Sequence, residues 1–389
     1  MQSNLSNLIV MKFGGTSVEN QERLLSVSKI IQKEINSGKK VIAVVSAQGD
    51  TTDKLLELSK KITNNPDLRE LDVLLSTGEQ ISIALLAMTL QSIGIKAISL
   101  TGWQAGITTC NCYSSAKILD IFTDRINNEL KNHDAIIIAG FQGINKNEDI
   151  TTMGRGGSDT SAVAISAALN AKECLIYTDV DGVYTADPRI IKNAKKIKEI
   201  SYDNMINMSD MGAQVLNKRS VRLAKKYGVE ISVLNSMSKN PGTKIKKIKE
   251  VDFSANPVAS LVIQKDLFLL KIKSKKFDNI FEKIQKNKIN ISDIFFENSF
   301  CLMLLNQNYL NQIQELFVNF KDYEINLNLS KISIICTNQD IIFEIFAKIK
   351  KITKNIKIKY AYVCEYISII LESKFNSSII NKIHDSVCS

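Results

Sequence analysis

Residues 8–17 read LIVMKFGGTS, an apolar run that ends in two glycines and two hydroxyl side chains. Apart from Lys12 the run is continuously apolar, which is typical of a strand buried on both faces of a parallel sheet. Apolar residues then recur at helical spacing over 22–36. A strand, a glycine turn and a helix in this order can present backbone N–H groups to a phosphate, and Lys12 could reach the same anion. Taken alone, the segment fits a tight strand–helix turn equally well.

The same order of strand and helix continues as far as residue 180. Four further apolar runs predict strands: VIAVVS (41–46), KAISL (96–100), AIIIAGF (135–141) and ECLIYTDV (173–180). Helical patterns separate them at about 53–62, 78–92, 114–131 and 158–170. Strands that alternate with helices indicate an α/β fold with a mainly parallel central sheet covered on both faces.

The chain changes character near Pro257. All 17 glycines lie between Gly14 and Gly242, and the arginines end at Arg222. On the C-terminal side of Pro257, a β-α-β-β-α order occurs twice, as a weak internal repeat of about 65 residues. A sequence rich in isoleucine and lysine also looks periodic by composition alone. We predict a second region made of two α+β units.

Bulk composition excludes several classes of protein. The 389 residues are 44% apolar and 23% charged, which is globular composition. No run of 18 apolar residues and no export signal is present, so we expect no membrane association and a cytoplasmic location. The net charge of +10 is spread mostly as lysine without aromatic interleaving, which disfavours nucleic acid as a partner. Two histidines, and seven cysteines without a CxxC pair, argue against a histidine triad or a protein-built metal site.

A second glycine-rich segment, TMGRGGSDTS at 152–161, leads into an alanine-rich helix. We expect Ser158 or Asp159 to cap that helix. An arginine inside such a turn suggests recognition of a carboxylate or phosphate, because its guanidinium offers a fork of donors. Three glycines beside Arg155 favour a ligand site, while Asp159 could serve only as the cap.

Three more segments place polar side chains after apolar runs. TDVDGVYTADPR (178–189) follows the last strand of the series, where α/β sheets bind ligands. Tyr184 could stack on a base or only pack. SAQGDTTD (46–53) and TGEQ (77–80) supply small polar groups and carboxylates suited to an amino acid, although each could be a loop with a helix cap.

In this order, these motifs resemble those of the aspartate kinase family of the amino acid kinase superfamily. The resemblance spans residues 10–245 and rests on KFGGTSV (12–18), VVSAQGDTTD (44–53), TGWQAGI (101–107), GRGGSDTSA (154–162) and TDVDGVYTADPR (178–189). The last motif is shared with glutamate 5-kinases and uridylate kinases, whereas KFGGTSV and GRGGSDTSA are more specific. The back third is similar to the paired ferredoxin-like ACT domains of the family.

The resemblance implies a domain plan. An amino acid kinase-like sandwich would span 1–250, a first ACT-like domain 258–330 and a second 331–389. The first ACT unit is often inserted within the second in this family, so the strand at 258–264 could pair with the second unit instead. ACT pairing also implies a homodimer or larger homo-oligomer.

The resemblance further implies phosphoryl transfer from MgATP to the β-carboxylate of L-aspartate, giving 4-phospho-L-aspartate. This is the first step towards lysine, threonine, methionine and diaminopimelate. Lys12 and Asp159, with backbone donors at Gly14 and Gly15, would act on the transferring group, and Mg²⁺ would be held largely by phosphates and waters. The substrate pocket would comprise Ser46, Thr52, Glu79, Phe141, Arg155 and Ser158. The nucleotide pocket would comprise Lys12, Gly14, Gly15, Thr178, Asp179, Tyr184, Asp187, Arg189 and Gln214.

Two departures from the family pattern have consequences. Gln214 stands where the family usually has a lysine that contacts the nucleotide, so we expect moderately weaker ATP binding. The first ACT unit reads KSKKFDNIF (273–281) and the second CTNQDIIF (336–343), without the glycine or proline that usually approaches the effector. We therefore predict weak or lost feedback control by lysine or threonine, although Ile289-Asn290-Ile291 keeps the family pattern and leaves effector binding open.

Other functions remain as alternatives. A glutamate 5-kinase-like enzyme would lack KFGGTSV and the repeated tail. A non-catalytic amino-acid-binding subunit would be favoured by loss of Lys12, Arg155 or Asp159, and all three are present. A dehydrogenase is disfavoured because no GxGxxG motif occurs.

Overall fold

The computed structural model describes residues 7–238, 240–248, 258–287, 289–318, 320, 322–337, 340–354, 358–364, 366–372 and 377–388. These residues form two compact units. The first contains the described residues up to Val183, with Lys196–Asp210 and those from Gln214 to 248. The second contains Tyr184–Lys195, Met211–Ala213 and the described residues from Val258 onwards. The short segments 184–195 and 211–213 therefore lie outside the first unit, although the sequence suggested a continuous domain over 1–250.

Twelve strands build the first unit. They are β1 (Leu8–Phe13), β2 (Lys40–Val45), β3 (Ala97–Leu100), β4 (Ile107–Thr109), β5 (Ile118–Ile121), β6 (Ala135–Ala139), β7 (Gln142–Ile144), β8 (Ile150–Thr152), β9 (Glu173–Thr178), β10 (Glu199–Ser201), β11 (Glu230–Asn235) and β12 (Thr243–Lys246). Eight form one sheet in the order β10-β12-β11-β9-β1-β2-β6-β3. Every neighbouring pair in it is parallel except β11 with β12, which confirms the mainly parallel sheet.

Seven helices belong to the first unit: α1 (Gln21–Asn36), α2 (Thr51–Ile62), α3 (Leu68–Ser92), α4 (Asp124–Glu129), α5 (Gly157–Ala168), α6 (Tyr202–Asp210) and α7 (Lys218–Tyr227). Helix α3 is long and apolar enough to cross a membrane by length and composition alone. Half of that apolar window is buried inside the protein, however, and Leu75, Ile83, Leu86 and Leu90 of α3 lie in the core of this unit. These contacts fit a core helix.

The helix expected near 114–131 is wrong. Strand β5 and the short α4 occupy this region, and β5 pairs antiparallel with β4 in a four-stranded sheet of order β5-β4-β7-β8. Ser114 has φ +60°, which is incompatible with a helix, and its N–H donates to a carboxylate of α3 instead. The partners of this segment are the preceding strand β4 and Asp72 of α3, 42 positions before Ser114, and the apolar spacing within 114–131 does not indicate either.

The second unit is a six-stranded antiparallel sheet with helices. Its strands are β13 (Val258–Lys273), β14 (Ile291–Glu297), β15 (Phe300–Asn306), β16 (Tyr323–Cys336), β17 (Ile358–Val363) and β18 (Tyr366–Glu372), in the order β14-β15-β13-β16-β18-β17. Its helices are α8 (Phe277–Lys286), α9 (Leu310–Leu316), α10 (Ile342–Ile352) and α11 (Ser377–Val387). The repeated β-α-β-β-α order agrees with the expected ferredoxin-like pair.

Two long strands run through both halves of this sheet. Residues 258–264 of β13 pair with 331–336 of β16, while 267–272 pair with 323–329. The register shifts between these halves, where Asp266 and Asn328 adopt φ of +54° and +58°. One apolar core contains α8 and α9, and a separate core contains α10 and α11. The two halves thus share strands but have separate cores.

Candidate active site

The motifs of the first unit meet at the carboxyl ends of four neighbouring strands. Lys12 lies near the end of β1, Ser46 follows β2, Phe141 follows β6, and Thr178 ends β9. These strands are adjacent in the sheet order β9-β1-β2-β6. Loops at this edge are the usual ligand-binding side of an α/β sheet. Parallel pairing therefore gathers segments that are up to 166 positions apart in sequence.

Lys12 and Asp159 form an ion pair here. Lys12 Nζ lies 2.7 Å from Asp159 Oδ1, and each side chain is only 12% exposed. Lys12 comes from the central strand and Asp159 from the first turn of α5. The pairing joins the two glycine motifs that the sequence identified separately. The ion pair places a lysine ammonium beside one carboxylate at the ligand-binding edge of the sheet.

The two glycines after β1 have different roles. The N–H of Gly14 donates to the carbonyl of Tyr177 at 3.1 Å, so it is not the anion donor that the sequence suggested. This leaves the N–H of Gly15 as the candidate donor. A Cβ on Gly15 would lie 2.5 Å from the carbonyl oxygen of Ala47, so only glycine fits this close approach. The carbonyl of Gly15 also accepts a hydrogen bond from Gly49 N–H at 3.1 Å.

Glu79 is buried with one oxygen unsatisfied. Its Oε1 accepts the N–H of Ala47 at 3.0 Å, whereas Oε2 has no hydrogen-bond partner among the described residues. Burial raises the pKa of Glu79 to about 7, against the lowering effect of the Ala47 N–H. Gly78 permits this contact, because a Cβ there would lie 2.8 Å from the Cβ of Ala47. An unsatisfied buried carboxylate oxygen is a natural acceptor for a substrate ammonium group.

The loop around Arg155 is held by its neighbours. Gly156, with φ +73°, is the N-cap of α5, so the expected cap at Ser158 or Asp159 is wrong. No side chain caps α5, and Asp159 pairs with Lys12 instead. Asn217, at the N-cap of α7, donates from Nδ2 to the carbonyl of Arg155 at 2.8 Å. Asn217 therefore holds the loop through its backbone, while the side chain of Arg155 is exposed.

Phe141 has a strained backbone. Its φ is +68°, a conformation that costs a bulky residue of order 1–3 kcal/mol. The strain is supported on both sides, because Phe141 N–H donates to Ser161 Oγ and its carbonyl accepts the N–H of Met153. Gly140 lets α5 approach closely, since a Cβ there would lie 2.7 Å from the Cβ of Ser158. Strain of this kind is often found at functional sites.

Four more residues that the sequence singled out lie at or beside the ends of strands and helices of the first unit. Ser46 is half-buried, and its N–H donates to the carbonyl of Phe13. Thr52 is half-buried in the first turn of α2. Thr178 Oγ1 donates to the carboxylate of its neighbour Asp179 at 2.9 Å. Gln214 is exposed in the segment before α7.

Comparisons with known proteins show the family of the chain. A family model described as the amino acid kinase family matches residues 7–235. The aspartokinase of Geobacillus stearothermophilus is 40% identical over 97% of each chain, and aspartokinase 2 of Bacillus subtilis is 37% identical over 97% of each. The chain belongs to the aspartokinase family. The crystal structure of E. coli aspartokinase III in complex with aspartate and ADP matches 98% of this chain and 99% of that chain with a TM-score of 0.79. At 19% identity, this match shows the fold alone.

In this aspartokinase family member, three of the expected nucleotide residues lie in the second unit. Tyr184, Asp187 and Arg189 belong to the segment 184–195. Arg189 donates through Nε and Nη2 to Asp187 at 2.8–3.2 Å, and this ion pair lowers the pKa of the Asp187 carboxyl. The carbonyl of Thr185 accepts the N–H of Leu261 in β13, which builds the segment into the second unit.

Two residues that contact segments of the candidate site were missed by sequence reasoning. Asn217 lies in none of the motifs quoted from the sequence, yet its side chain donates to the carbonyl of Arg155. Asp72, in α3, is buried and accepts hydrogen bonds from two distant segments. A lone aspartate in an apolar helix was the available signal for Asp72. Nothing local indicated its partners.

We expect Gly156→Ala to lower activity more than its cost in stability explains. An added Cβ would lie 2.4 Å from Asn217 Nδ2, so the Arg155 loop must move. Gly228→Ala is the matched control, since its φ of +70° is similar and no atom lies within 4 Å. Both variants should lose about 1–2 kcal/mol of stability from the positive φ. Only Gly156→Ala should reduce kcat/KM for the amino acid, by roughly tenfold, in steady-state assays beside thermal melts. Equal kcat/KM in the two variants would contradict this.

Proposed function

We propose that this chain is an aspartate kinase, transferring the γ-phosphoryl group of ATP to the β-carboxylate of L-aspartate. The product is the acyl phosphate 4-phospho-L-aspartate. The observation that supports the chemistry best is the Lys12–Asp159 pair at the carboxyl end of the central strand. A carboxylate nucleophile is already ionised at pH 7, so the reaction needs no general base. The main barrier is the approach of one anion to another, which a fixed lysine lowers.

The substrate amino acid would be held by charge on both sides. The unsatisfied Oε2 of Glu79 would accept the α-ammonium group, and the guanidinium of Arg155 would pair with a substrate carboxylate. Ser46, Thr52, Phe141 and Ser158 would line the pocket. The strain at Phe141 supports this assignment, because a rigid wall favours one orientation of a small substrate.

The nucleotide would be held through its phosphates and its base. Lys12 and the N–H of Gly15 would act on the phosphates, and Asp159 would orient Lys12. Thr178, Asp179 and Gln214 of the first unit would contact the rest of the nucleotide. The described residues contain no group of three or more His, Cys, Asp or Glu that could hold a metal ion. Mg²⁺ would therefore be held largely by the phosphates of ATP and by waters, with Asp159 on the protein side, and it would neutralise phosphate charge.

The decisive experiment traps the product. The purified protein is incubated with MgATP, L-aspartate and hydroxylamine, which converts an acyl phosphate to a hydroxamate that ferric iron reveals. We expect hydroxamate with L-aspartate and little with L-glutamate. Equal or greater yield with L-glutamate would favour the glutamate 5-kinase alternative. Absence of product from folded protein would favour a non-catalytic amino-acid-binding subunit.

We expect Gln214→Lys to strengthen ATP binding. A lysine at this exposed position would add one charge-assisted contact to a phosphate, worth about 1 kcal/mol, or roughly fivefold in KM for ATP. Gln214→Met, which adds no charge, serves as the control and should not lower KM. Steady-state titration of ATP at saturating aspartate checks this. An unchanged KM in Gln214→Lys would show that residue 214 does not contact the nucleotide.

We predict that lysine and threonine inhibit weakly. The segment before α8 is a short 3₁₀ turn at Ser274–Lys276 without glycine or proline, so its backbone lacks the usual close approach to an effector. In the second stretch, 336–343, residues 338–339 lie outside the described residues. Initial rates at millimolar lysine or threonine, alone and together, should stay above half of the uninhibited rate. Complete inhibition by either would contradict this prediction.

Assembly and location complete the proposal. The six-stranded sheet of the second unit would support a homodimer or larger homo-oligomer, as paired ACT domains do in the family. We place the enzyme in the cytoplasm, where ATP and reduced thiols are available; the described cysteines form no disulfide. Light scattering of the purified protein measures the oligomeric state directly.

A further inference from the structure

Asp72 accepts four hydrogen bonds at a fully buried position of α3. Its oxygens accept the N–H and Oγ of Ser114 at 2.8–3.1 Å, and the N–H and Oγ1 of Thr152 at 2.8 and 2.7 Å. Both oxygens of Asp72 are therefore engaged, each by partners from two separate segments of the chain. A buried carboxyl group with this many hydrogen-bond partners fixes their positions firmly.

The partners of Asp72 lead directly to the proposed substrate residues. Thr152 ends β8 and lies three positions before Arg155. Between them, Met153 donates its N–H to the carbonyl of Phe141. On its other side, Asp72 precedes Glu79 by seven residues, two turns of the same helix, so both side chains lie on one face of α3. One carboxylate thus links the helix of Glu79 to the loop of Arg155.

We propose that Asp72 is a positioning residue for amino acid recognition. Asp72 fixes the distance between the carboxylate of Glu79 and the guanidinium of Arg155. The ammonium and carboxylate groups of a zwitterionic substrate must match that distance. This inference rests on the substrate roles proposed for those two residues. It goes beyond them in assigning the precision of the pocket to a residue that does not touch the substrate. A shift of about 1 Å in one of the two groups is enough to weaken binding strongly.

Two adjacent threonines of β8 allow a matched test. Thr152→Val removes the Oγ1 bond to Asp72 and keeps the shape of the side chain. Thr151→Val removes an equally buried hydroxyl that contacts Thr109 and not Asp72. We expect Thr152→Val to raise KM for aspartate about tenfold, with kcat and KM for ATP within about twofold of the parent. Thr152→Ser, which keeps the hydroxyl, should have the KM for aspartate of the parent. Thr151→Val should lower the melting temperature similarly without changing KM.

The outcomes separate this inference from the function on which it rests. Equal KM values for Thr152→Val and Thr151→Val would overturn the role of Asp72. If Arg155→Ala leaves KM for aspartate unchanged, the role proposed for Arg155 is wrong and the inference fails with it. If Arg155→Ala raises KM, Thr152→Val in that background should add much less than it does alone, because both act on one contact. Full additivity in the double variant would also overturn it.

Asp72→Asn provides a stronger perturbation of the same link. An amide would face four donors with its own NH₂ group, so the loop should shift further and KM for aspartate should rise by more than in Thr152→Val. Calorimetric titration of L-aspartate measures binding without turnover. If Asp72→Asn does not fold, the threonine pair alone decides the question. A folded Asp72→Asn protein with parental affinity would overturn the proposal.

Discussion

Lys12→Met should lower kcat by about 10²–10³-fold while the protein stays folded. The lysine ammonium is the one side-chain cation assigned to the transferring phosphoryl group, and loss of one such preorganised contact costs roughly 3–4 kcal/mol in the transition state. Methionine fills a similar volume, so packing around β1 is preserved. The hydroxamate assay at saturating substrates measures kcat, and circular dichroism with thermal melting measures folding. KM for aspartate should change much less than kcat.

Lys40→Met is the matched control for this substitution. Lys40 begins β2, at the opposite end of the strands, and pairs with Asp134 at 3.0 Å. Its loss should leave kcat within about twofold, because surface ion pairs contribute little. Lys12→Met also leaves Asp159 without its partner, so some loss of stability is expected. If kcat survives Lys12→Met, or falls equally in Lys40→Met, the role assigned to Lys12 is wrong.

The parallel sheet and its ligand edge were predictable because their signals are local. The apolar run before Gly14 and the runs that follow it each predict a buried strand, and parallel pairing then brings their carboxyl ends to one edge. The Lys12–Asp159 contact follows from this topology once both motifs are known. Residue spacing alone still left the phosphate site and the plain turn equally acceptable.

The errors occurred where long-range contacts outweigh local pattern. Residues 114–131 carry apolar spacing that suits a helix, but Asp72 takes the N–H of Ser114 and β5 pairs with β4. The cap of α5 was misassigned because Gly156 reaches a positive φ against Asn217, which lies 61 positions later. The segment 184–195 is continuous in sequence with β9, yet its buried Ala186 and Ile191 pack in the core of the second unit.

Glu79→Gln should raise KM for aspartate at least about 30-fold at pH 8, since loss of a buried charge that pairs with an ammonium costs roughly 2 kcal/mol or more. The pH dependence of the parent enzyme follows from the same group. With a pKa of about 7, Glu79 is increasingly protonated below that pH and loses its charge. kcat/KM for aspartate, which reports the free enzyme, should therefore fall about tenfold per pH unit below 7. In Glu79→Gln this limb of the profile should be flat.

The same substitution should stabilise the fold at alkaline pH. Because the pKa of Glu79 rises from 4.5 to about 7 on folding, its contribution to stability is fully present below pH 4.5 and is lost as the pH rises through 7. The loss is of order 3 kcal/mol at pH 8.5, and glutamine does not suffer it. Thermal melts should show a higher melting temperature for Glu79→Gln than for the parent at pH 8.5, and no difference near pH 4.5.

Glu70→Gln, on the exposed side of the same helix, is the control and should change neither KM nor the melting temperature appreciably. A Glu79→Gln protein less stable than its parent at pH 8.5 would show that the carboxylate has a structural partner, and would remove the argument that its free oxygen is reserved for substrate.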